Sequence, residues 1–223
     1  MSPTSEEHLS NAVRLHQVSD FKKGIKEAET ATRKSQKEGK NERAVESLRV
    51  MADCTLGAQE LKSAENLYKQ LFLDGVRISS FWYQSAASWG LGQISLHRMN
   101  YPAAQQYFRS GLDLAKKIAD KRYAAWNAFG LGTALRGLAR LDEAKLLYQE
   151  ALTQFRTMSQ AAPASWVERA PSEIGAEALA EGSAGEVRVW LCPMCGSKFN
   201  PSQASALRSG KIATCEYCGT TAG

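Results

Sequence analysis

The sequence lacks a hydrophobic run of the kind that crosses a membrane, and it lacks the features of a secretory signal. Its longest stretch without a charged residue is 78–96, and this stretch carries five serines and two glutamines. We therefore expect a buried amphipathic helix there, not a membrane span. The N-terminal residues, MSPTSEEHLSNAV, include neither a basic nor an apolar segment, so no signal peptide is predicted. These absences predict a soluble, intracellular protein, most simply a cytoplasmic one.

Histidine and cysteine are scarce, at 3 and 5 residues, and their arrangement does not suit catalysis. His97 has no second ligand or base near it in the sequence, and Cys54 is most simply a small buried apolar residue. Nucleophilic and acid–base catalysis need groups that are positioned together. We therefore predict a protein that is not an enzyme.

An internal repeat with a period of 40 organises most of the chain. Three segments align with one another, beginning at Ser47, Ala87 and Asn127. The matching columns are Ala64, Ala104, Ala144; Tyr68, Phe108, Tyr148; Ala52, Gly92, Gly132; and Met51, Leu91, Leu131. A fourth, more divergent copy lies upstream, where Ala12 and Gly24 fall in these columns.

Each repeat is interpreted as a pair of helices. The second helix carries small, aromatic and small residues at positions i, i+4 and i+7, as in Ala144, Tyr148 and Ala151, and this spacing places them on one helical face. A single pair cannot bury its apolar face, whereas a stack of three or four pairs can. The pattern predicts an all-α solenoid of antiparallel helix pairs.

These columns resemble the tetratricopeptide repeat, over roughly residues 8–158. The period of 40 exceeds the family's usual length of about 34 and is similar to its long-helix variants. The family's proline at the end of the second helix is replaced by Lys116 and Arg156. The resemblance implies that the first helices line a concave groove that holds a peptide or a helix of a protein partner.

The family's groove positions can be transferred residue by residue. They predict a partner-binding groove formed by Arg49, Trp89, Gln93, His97, Trp126, Phe129 and Arg136. Aromatic anchors with a few polar groups would suit a binding surface, but the same aromatics could fill the space between adjacent first helices. The variant that clamps acidic C-terminal tails is not expected, because Asp53, Gly90, Trp126 and Gly130 stand where it uses basic or amide side chains.

Residues 22–43 hold eight basic and four acidic residues. Such a surplus suits a phosphate-binding face, but mixed charges of this kind more often mark a solvated outer helix. The alternative to a protein-binding adaptor is therefore a nucleic-acid or ribonucleoprotein-associated factor that uses this basic repeat together with the cysteine-containing C-terminal segment.

Four cysteines near the end of the sequence have the spacing of a zinc site. Cys192 and Cys195 form one C-x-x-C pair, and Cys215 and Cys218 form another after nineteen intervening residues. Zinc in a structural site takes four tetrahedral thiolates, and two such pairs about 15–20 residues apart indicate one. Haem attachment would need a histidine after the pair, and a thioredoxin-type site would need an α/β context. We predict one structural Zn²⁺ bound by these four cysteines.

The segment around these cysteines has little to bury, since Trp190, Phe199, Leu207 and Ile212 are nearly all of its large apolar residues. Metal binding would supply the missing stability, and the flanking runs EVRVWL, SKFN and KIAT have strand character. We predict a small β zinc ribbon with a glycine of positive φ after each cysteine pair.

Three parts are therefore predicted. They are a helical repeat domain over 1–158, a linker over 159–188 with a short capping helix from Ser172 to Gly182, and a zinc ribbon over 189–223. Trp166 is expected to fix the linker onto the end of the solenoid. The predicted function is that of a non-enzymatic adaptor or assembly subunit that binds protein partners, with the ribbon as a second interaction surface.

Overall fold

The computed structural model describes residues 3–180, 199–209, 211–216 and 219–222. The helices are α1 (Ser5–Gln17), α2 (Phe21–Lys37), α3 (Asn41–Gly57), α4 (Leu61–Arg77), α5 (Phe81–His97), α6 (Tyr101–Lys117), α7 (Lys121–Gly137), α8 (Leu141–Thr157), α9 (Ala161–Ala180) and α10 (Pro201–Arg208). The strands are β1 (Ala213–Thr214) and β2 (Thr221–Ala222). Successive helices from α1 to α9 pack on one another. This stacking confirms the predicted solenoid-like, all-α repeat region, including the divergent first pair. None of the helices described is long and apolar enough to cross a membrane.

The long repeat is built from two helices of equal length. Each helix from α2 to α8 has 17 residues, and a short turn follows it. One residue in every turn has positive φ, at Ser19, Gly39, Gln59, Ser79, Met99, Ala119, Ala139 and Ser159. The next N–H then bonds back to the last turn of the helix, as Glu60 does to the Thr55 carbonyl at 3.1 Å, which is the Schellman closure. A helix and turn of about 20 residues, instead of about 17, adds nearly one helical turn, which accounts for the long period.

The aromatic column is sandwiched between glycines of neighbouring first helices. Phe108 is fully buried. A Cβ at Gly92 of the same repeat would lie 2.6 Å from its ring, and a Cβ at Gly130 of the next repeat would lie 2.3 Å from it. Tyr148 bears the same relation to Gly132, at 2.7 Å. The first helices therefore carry small residues at these positions because the aromatic ring of the second helix packs directly against their backbone.

Helix α5 is buried, as expected for residues 78–96, but it is not amphipathic. Burial extends over residues 83–88 and 90–96, because α3, α4, α6 and α7 surround the helix. Its serines satisfy their hydroxyls on backbone carbonyls. Ser88 donates to Gln84 at 2.9 Å and Ser95 donates to Leu91 at 2.8 Å. Polar residues are thus tolerated on every side of this helix.

The expected linker is a helix over Ala161–Ala180, so the expectation of helix only from Ser172 was wrong. Helix α9 continues the spacing of the repeat and packs on α8, with Ala164, Val167 and Ala170 buried. Trp166 packs against the last core cluster, as expected for a cap on the final repeat. Residues 181–188 of the predicted linker lie outside the described residues.

The described part of the predicted ribbon contains one helix and one strand pair. Helix α10 begins at a capping box of Asn200 and Gln203, which the strand character assigned to SKFN did not anticipate. Strand β1 pairs antiparallel with β2 through Ala213↔Ala222 and Thr214↔Thr221. Phe199 and Leu207 are buried, as expected, whereas Ile212 is 74% exposed. Its assignment to the ribbon core was therefore wrong.

Candidate functional site

A cavity of about 330 Å³ lies among the first helices of the repeats. Five of the seven predicted groove residues line it, namely Arg49, Trp89, Gln93, Trp126 and Phe129. These residues come from α3, α5 and α7, which are the first helices of consecutive pairs. Equivalent residues of consecutive repeats therefore meet around one space, as the column alignment implied.

The remaining two predicted groove residues, His97 and Arg136, do not line this cavity. Arg136 is only 4% exposed. His97 is half-buried, and its Nε2 makes no hydrogen bond to the residues described. Burial lowers the pKa of His97 to about 4, so the ring is neutral at physiological pH. Both residues lie in the last turns of their helices, away from the aromatic part of the groove.

Arg49 is the centre of an ion-pair network inside the groove. Its guanidinium donates to both oxygens of Glu46, at 2.9 and 2.6 Å, and to Oδ2 of Asp53 at 2.5 Å. It also lies over the Trp82 ring, 5.6 Å from the centroid. Burial opposes the charge, but Asp53 and Glu46 outweigh it and raise the pKa of Arg49 above its ordinary value. The cation is therefore neutralised within the protein and does not make the groove basic.

Asp53 extends this network to the aromatic column. Its Oδ1 accepts a hydrogen bond of 2.7 Å from the Tyr68 hydroxyl, and Tyr68 is fully buried. Burial, followed by the charge of Asp53, raises the pKa of Tyr68 well above its ordinary value. The hydroxyl consequently remains a donor, and it holds the carboxylate in place for Arg49.

Four aromatic residues form one connected cluster, and three of them, Trp89, Trp126 and Trp166, line the cavity. Trp126 lies edge-to-face with Trp89 at 6.3 Å and with Phe155 at 4.9 Å, and it is tilted against Trp166 at 6.0 Å. Trp89 and Trp126 are half-buried, and they both pack on the core cluster and line the cavity. Phe129 is only 3% exposed. Phe129 therefore mainly fills the space between helices, whereas Trp89 and Trp126 are accessible enough to contribute to a binding surface.

Two polar atoms in the groove have no hydrogen-bond partner in the described parts of the chain. They are Nε1 of Trp89 and Oε1 of Gln93, and both are buried. Gln93 is 3% exposed and lines the cavity. The two residues are one helical turn apart on α5, so they lie on the same face. A buried donor or acceptor without a partner costs about 1–3 kcal/mol, so a ligand that offered partners to these two atoms would gain binding energy of that order.

Sequence comparison of the repeats missed several residues that line the cavity. Arg122 and Tyr123 lie one turn before Trp126 on α7, and Trp166 comes from α9. Arg122 is exposed and lies over the Tyr123 ring at 6.0 Å. The helical spacing from Trp126 could have indicated the first two. Nothing in the repeat alignment indicates Trp166, because α9 lies beyond the aligned columns.

The basic stretch lies largely on α2 and at the turn that follows it. Its exposed cations are Lys22, Lys23, Lys26, Arg33, Lys37 and Lys40. Acidic neighbours pair with some of them: Lys23 contacts Asp20 at 2.7 Å and Lys40 contacts Glu38 at 3.1 Å. The exposure of this face fits a solvated outer helix.

Only part of the predicted metal site can be located. Cys192, Cys195 and Cys218 lie outside the described residues. Cys215 is buried, its N–H donates to Thr220 O at 2.8 Å, and its carbonyl accepts from Gly219 N–H at 2.9 Å. Gly219 has a φ of +72°, as predicted for the residue after a cysteine pair. Among the described residues, no group of three or more potential ligands is found.

Comparison with known proteins adds a family match. A family model described as tetratricopeptide repeat matches residues 83–157, which span most of α5 and all of α6 and α7, and end with α8. No curated protein matches the chain. Tetratricopeptide repeats generally mediate protein–protein interaction. Over these residues the chain is similar to the tetratricopeptide repeat, and its stacked helix pairs agree with that similarity.

Proposed function

We propose that this chain is a non-enzymatic adaptor or assembly subunit whose groove binds a peptide or a helix of a protein partner. The observation that carries the proposal is the unpaired Trp89 Nε1 and Gln93 Oε1 inside an aromatic cavity. Leaving these two buried groups without hydrogen bonds lowers the stability of the free protein. A bound segment that forms hydrogen bonds with both groups would restore that free energy in the complex.

The chemistry of the cavity favours a peptide. The aromatic cluster of Trp89, Trp126 and Trp166 suits an apolar side chain, since buried aromatics dominate the energy of many interfaces. An indole N–H and an amide oxygen one turn apart match the carbonyl and the N–H of a peptide backbone. The preferred ligand is thus a peptide segment that offers an apolar side chain and its backbone hydrogen-bonding groups to the cavity.

The C-terminal ribbon provides a second interaction surface in this proposal. Cys192, Cys195, Cys215 and Cys218 bind one Zn²⁺, which holds the ribbon together. With all four positions taken by thiolates, the metal has no open site, so its role is structural. The buried Cys215 and the positive φ of Gly219 support this assignment.

A protein is preferred to a nucleic acid as the partner. The cavity is lined by aromatic and amide groups, and its central cation is neutralised by Glu46 and Asp53. Binding to nucleic acid depends chiefly on several unpaired cations along a phosphate backbone. The exposed lysines of α2 would be the surface for that alternative, and a strong salt dependence of binding would reveal it.

Site-specific photo-crosslinking tests the proposal. A benzophenone amino acid replaces Arg122, which lines the cavity, and the full chain is irradiated in cells. The same replacement at Lys145 is the matched control, because Lys145 is an exposed cation on the second helix α8. We expect discrete protein adducts from position 122 and not from position 145. Identical adducts from both positions, or none from position 122, would contradict groove binding.

A further inference from the structure

The ribbon touches the helical repeats at the turn that follows α3. The Gln59 side-chain nitrogen donates to the Thr221 carbonyl and to the Thr221 hydroxyl, at 2.8 Å in each case. These residues are 162 positions apart in the sequence. Gln59 is the residue of positive φ in its turn, with a φ of 62°. In this turn its side chain lies within hydrogen-bond distance of Thr221.

The same ribbon segment reaches the groove. Thr220 lines the cavity together with Trp89, Trp126 and Arg122. Thr220 also accepts the N–H of Cys215 at 2.8 Å, and Thr221 pairs with Thr214 in the antiparallel ladder. Thr220 therefore reaches the groove directly before strand β2, and β1 of the ribbon holds that strand through the antiparallel pairing.

We infer that residues 219–222 are an intramolecular ligand of the groove, and that a protein partner binds by displacing them. This inference rests on the proposed function, because it concerns regulation of the same site. The contact is small, consisting of one amide group and one lining residue. Both sides belong to one chain, however, so the effective concentration is on the order of millimolar. A contact too weak to form between separate molecules is then substantially populated.

A competing segment has to displace the ribbon residue Thr220 from the cavity. It does not need the Gln59 amide, because Gln59 does not line the cavity. The apparent affinity of the partner falls by the fraction of molecules whose groove is free. Only a partner of high affinity or high local concentration would then occupy a substantial fraction of the grooves.

The turn offers a matched pair of variants that separate the contact from the fold. Gln59 and Met99 occupy the same position in consecutive repeats, both with positive φ, and glycine favours that conformation at each. Gln59→Gly removes the amide that reaches the ribbon. Met99→Gly removes a side chain that is 65% exposed. Both variants keep the turn, so neither is expected to unfold the helices.

Hydrogen–deuterium exchange of the full chain measures the contact directly. We expect amides in residues 213–222 to exchange about fivefold faster in Gln59→Gly than in wild type, the loss expected for one net hydrogen-bonded contact. Met99→Gly should match wild type. Equal exchange in all three proteins would overturn the inference. Protection that disappears on dilution would also overturn it, because the contact would then join two copies.

The crosslinker at position 122 measures the consequence of the contact for binding. In the Gln59→Gly background, partner adducts should increase about fivefold, with no increase in the Met99→Gly background. Unchanged or fewer adducts in Gln59→Gly would overturn regulation by displacement. The two experiments distinguish a failure of the displacement inference from a failure of the proposed groove binding. Adducts at position 122 with no effect of Gln59→Gly leave groove binding standing, whereas altered exchange without adducts leaves only the intramolecular contact.

Discussion

The helical repeats and the ribbon obtain order from different sources. In the repeats, each aromatic of the second helix is fully enclosed by neighbouring first helices, as Phe108 is between Gly92 and Gly130. The described part of the ribbon buries little beyond Phe199 and Leu207, and it leaves Ile212 exposed. The repeats can therefore be stable through apolar burial alone, whereas the proposed ribbon would depend on the cross-link that the proposed zinc ion supplies. A destabilising substitution in one region should therefore leave the structure of the other largely intact.

Removal of the proposed zinc ion should have the greatest effect. Cys215→Ser should release the metal and unfold the ribbon, because a structural zinc site contributes on the order of 10 kcal/mol to folding. Elemental analysis should give one zinc per chain for wild type and none for Cys215→Ser, with little change in helical circular dichroism.

The matched control for this experiment is Cys54→Ser. Cys54 is buried in the first core cluster, and burial raises its thiol pKa to about 12, so it is a poor metal ligand. This variant should retain its zinc. Full zinc content in Cys215→Ser would contradict the four-cysteine site, and loss of most helical signal on chelation would contradict the independence of the two regions.

The next largest effect is expected from the aromatic column. Phe108→Ala should lower the free energy of unfolding by about 3–5 kcal/mol, the usual cost of a large-to-small change in a core. Denaturant unfolding followed by circular dichroism measures it. Phe81→Ala is the control, since Phe81 is 42% exposed, and its loss should cost about 1 kcal/mol or less. Similar costs for the two variants would show that the column does not carry the stability of the repeats.

A pH dependence is expected from His97. Its folded pKa of about 4 lies below its ordinary value of about 6.5, so the unfolded state binds a proton between these values and the folded state does not. The contribution of His97 to stability is therefore complete above about pH 6.5 and declines as the pH falls towards 4, by about 2–3 kcal/mol.

His97→Gln tests this expectation, because glutamine does not titrate. The variant should lose less stability than wild type between pH 6.5 and 4, as measured by thermal melts across this range. Parallel pH profiles of the two proteins would show that His97 is not buried as a neutral ring. The effect should appear in the helical signal and not in zinc content at pH 7.

The smallest of these effects concerns the glycine column. Gly130→Ala places a Cβ about where Phe108 lies, at 2.3 Å from its ring, and overpacking of this kind costs about 1–3 kcal/mol. Without the clash, alanine would stabilise the helix. In a Phe108→Leu background the cost should shrink, because a smaller side chain leaves space. If Gly130→Ala lowered the free energy of unfolding equally in both backgrounds, contact with the Phe108 ring would not be the cause.

Much of the helical region could be predicted from the sequence because its signal repeats. The column of Ala104 and Phe108 recurs one period later as Ala144 and Tyr148, and the structure places these residues in equivalent buried positions. Helix α9 was largely missed, since its alanine, serine and proline content is typical of a linker. Its small residues nevertheless suit close packing on α8.

The candidate site was only partly predictable. The spacing of Glu46, Arg49 and Asp53, at i−3 and i+4, could have indicated that the cation is paired. The contact between Gln59 and Thr221 spans 162 residues and involves no repeated pattern. Contacts of this kind depend on tertiary placement, which local periodicity does not contain.

The most direct test of groove binding is the substitution Gln93→Leu. Its Oε1 is buried and unpaired in the described chain, so an apolar side chain of similar size should leave the melting temperature unchanged or higher. The same change removes the acceptor offered to a partner. The affinity for the partner captured through position 122 should then fall about tenfold, for a buried donor left unpaired in the complex. Calorimetry with that partner and a thermal melt of the same variant give both values. A lower melting temperature with unchanged affinity would contradict the central claim, because Gln93 would then serve the fold and not the partner.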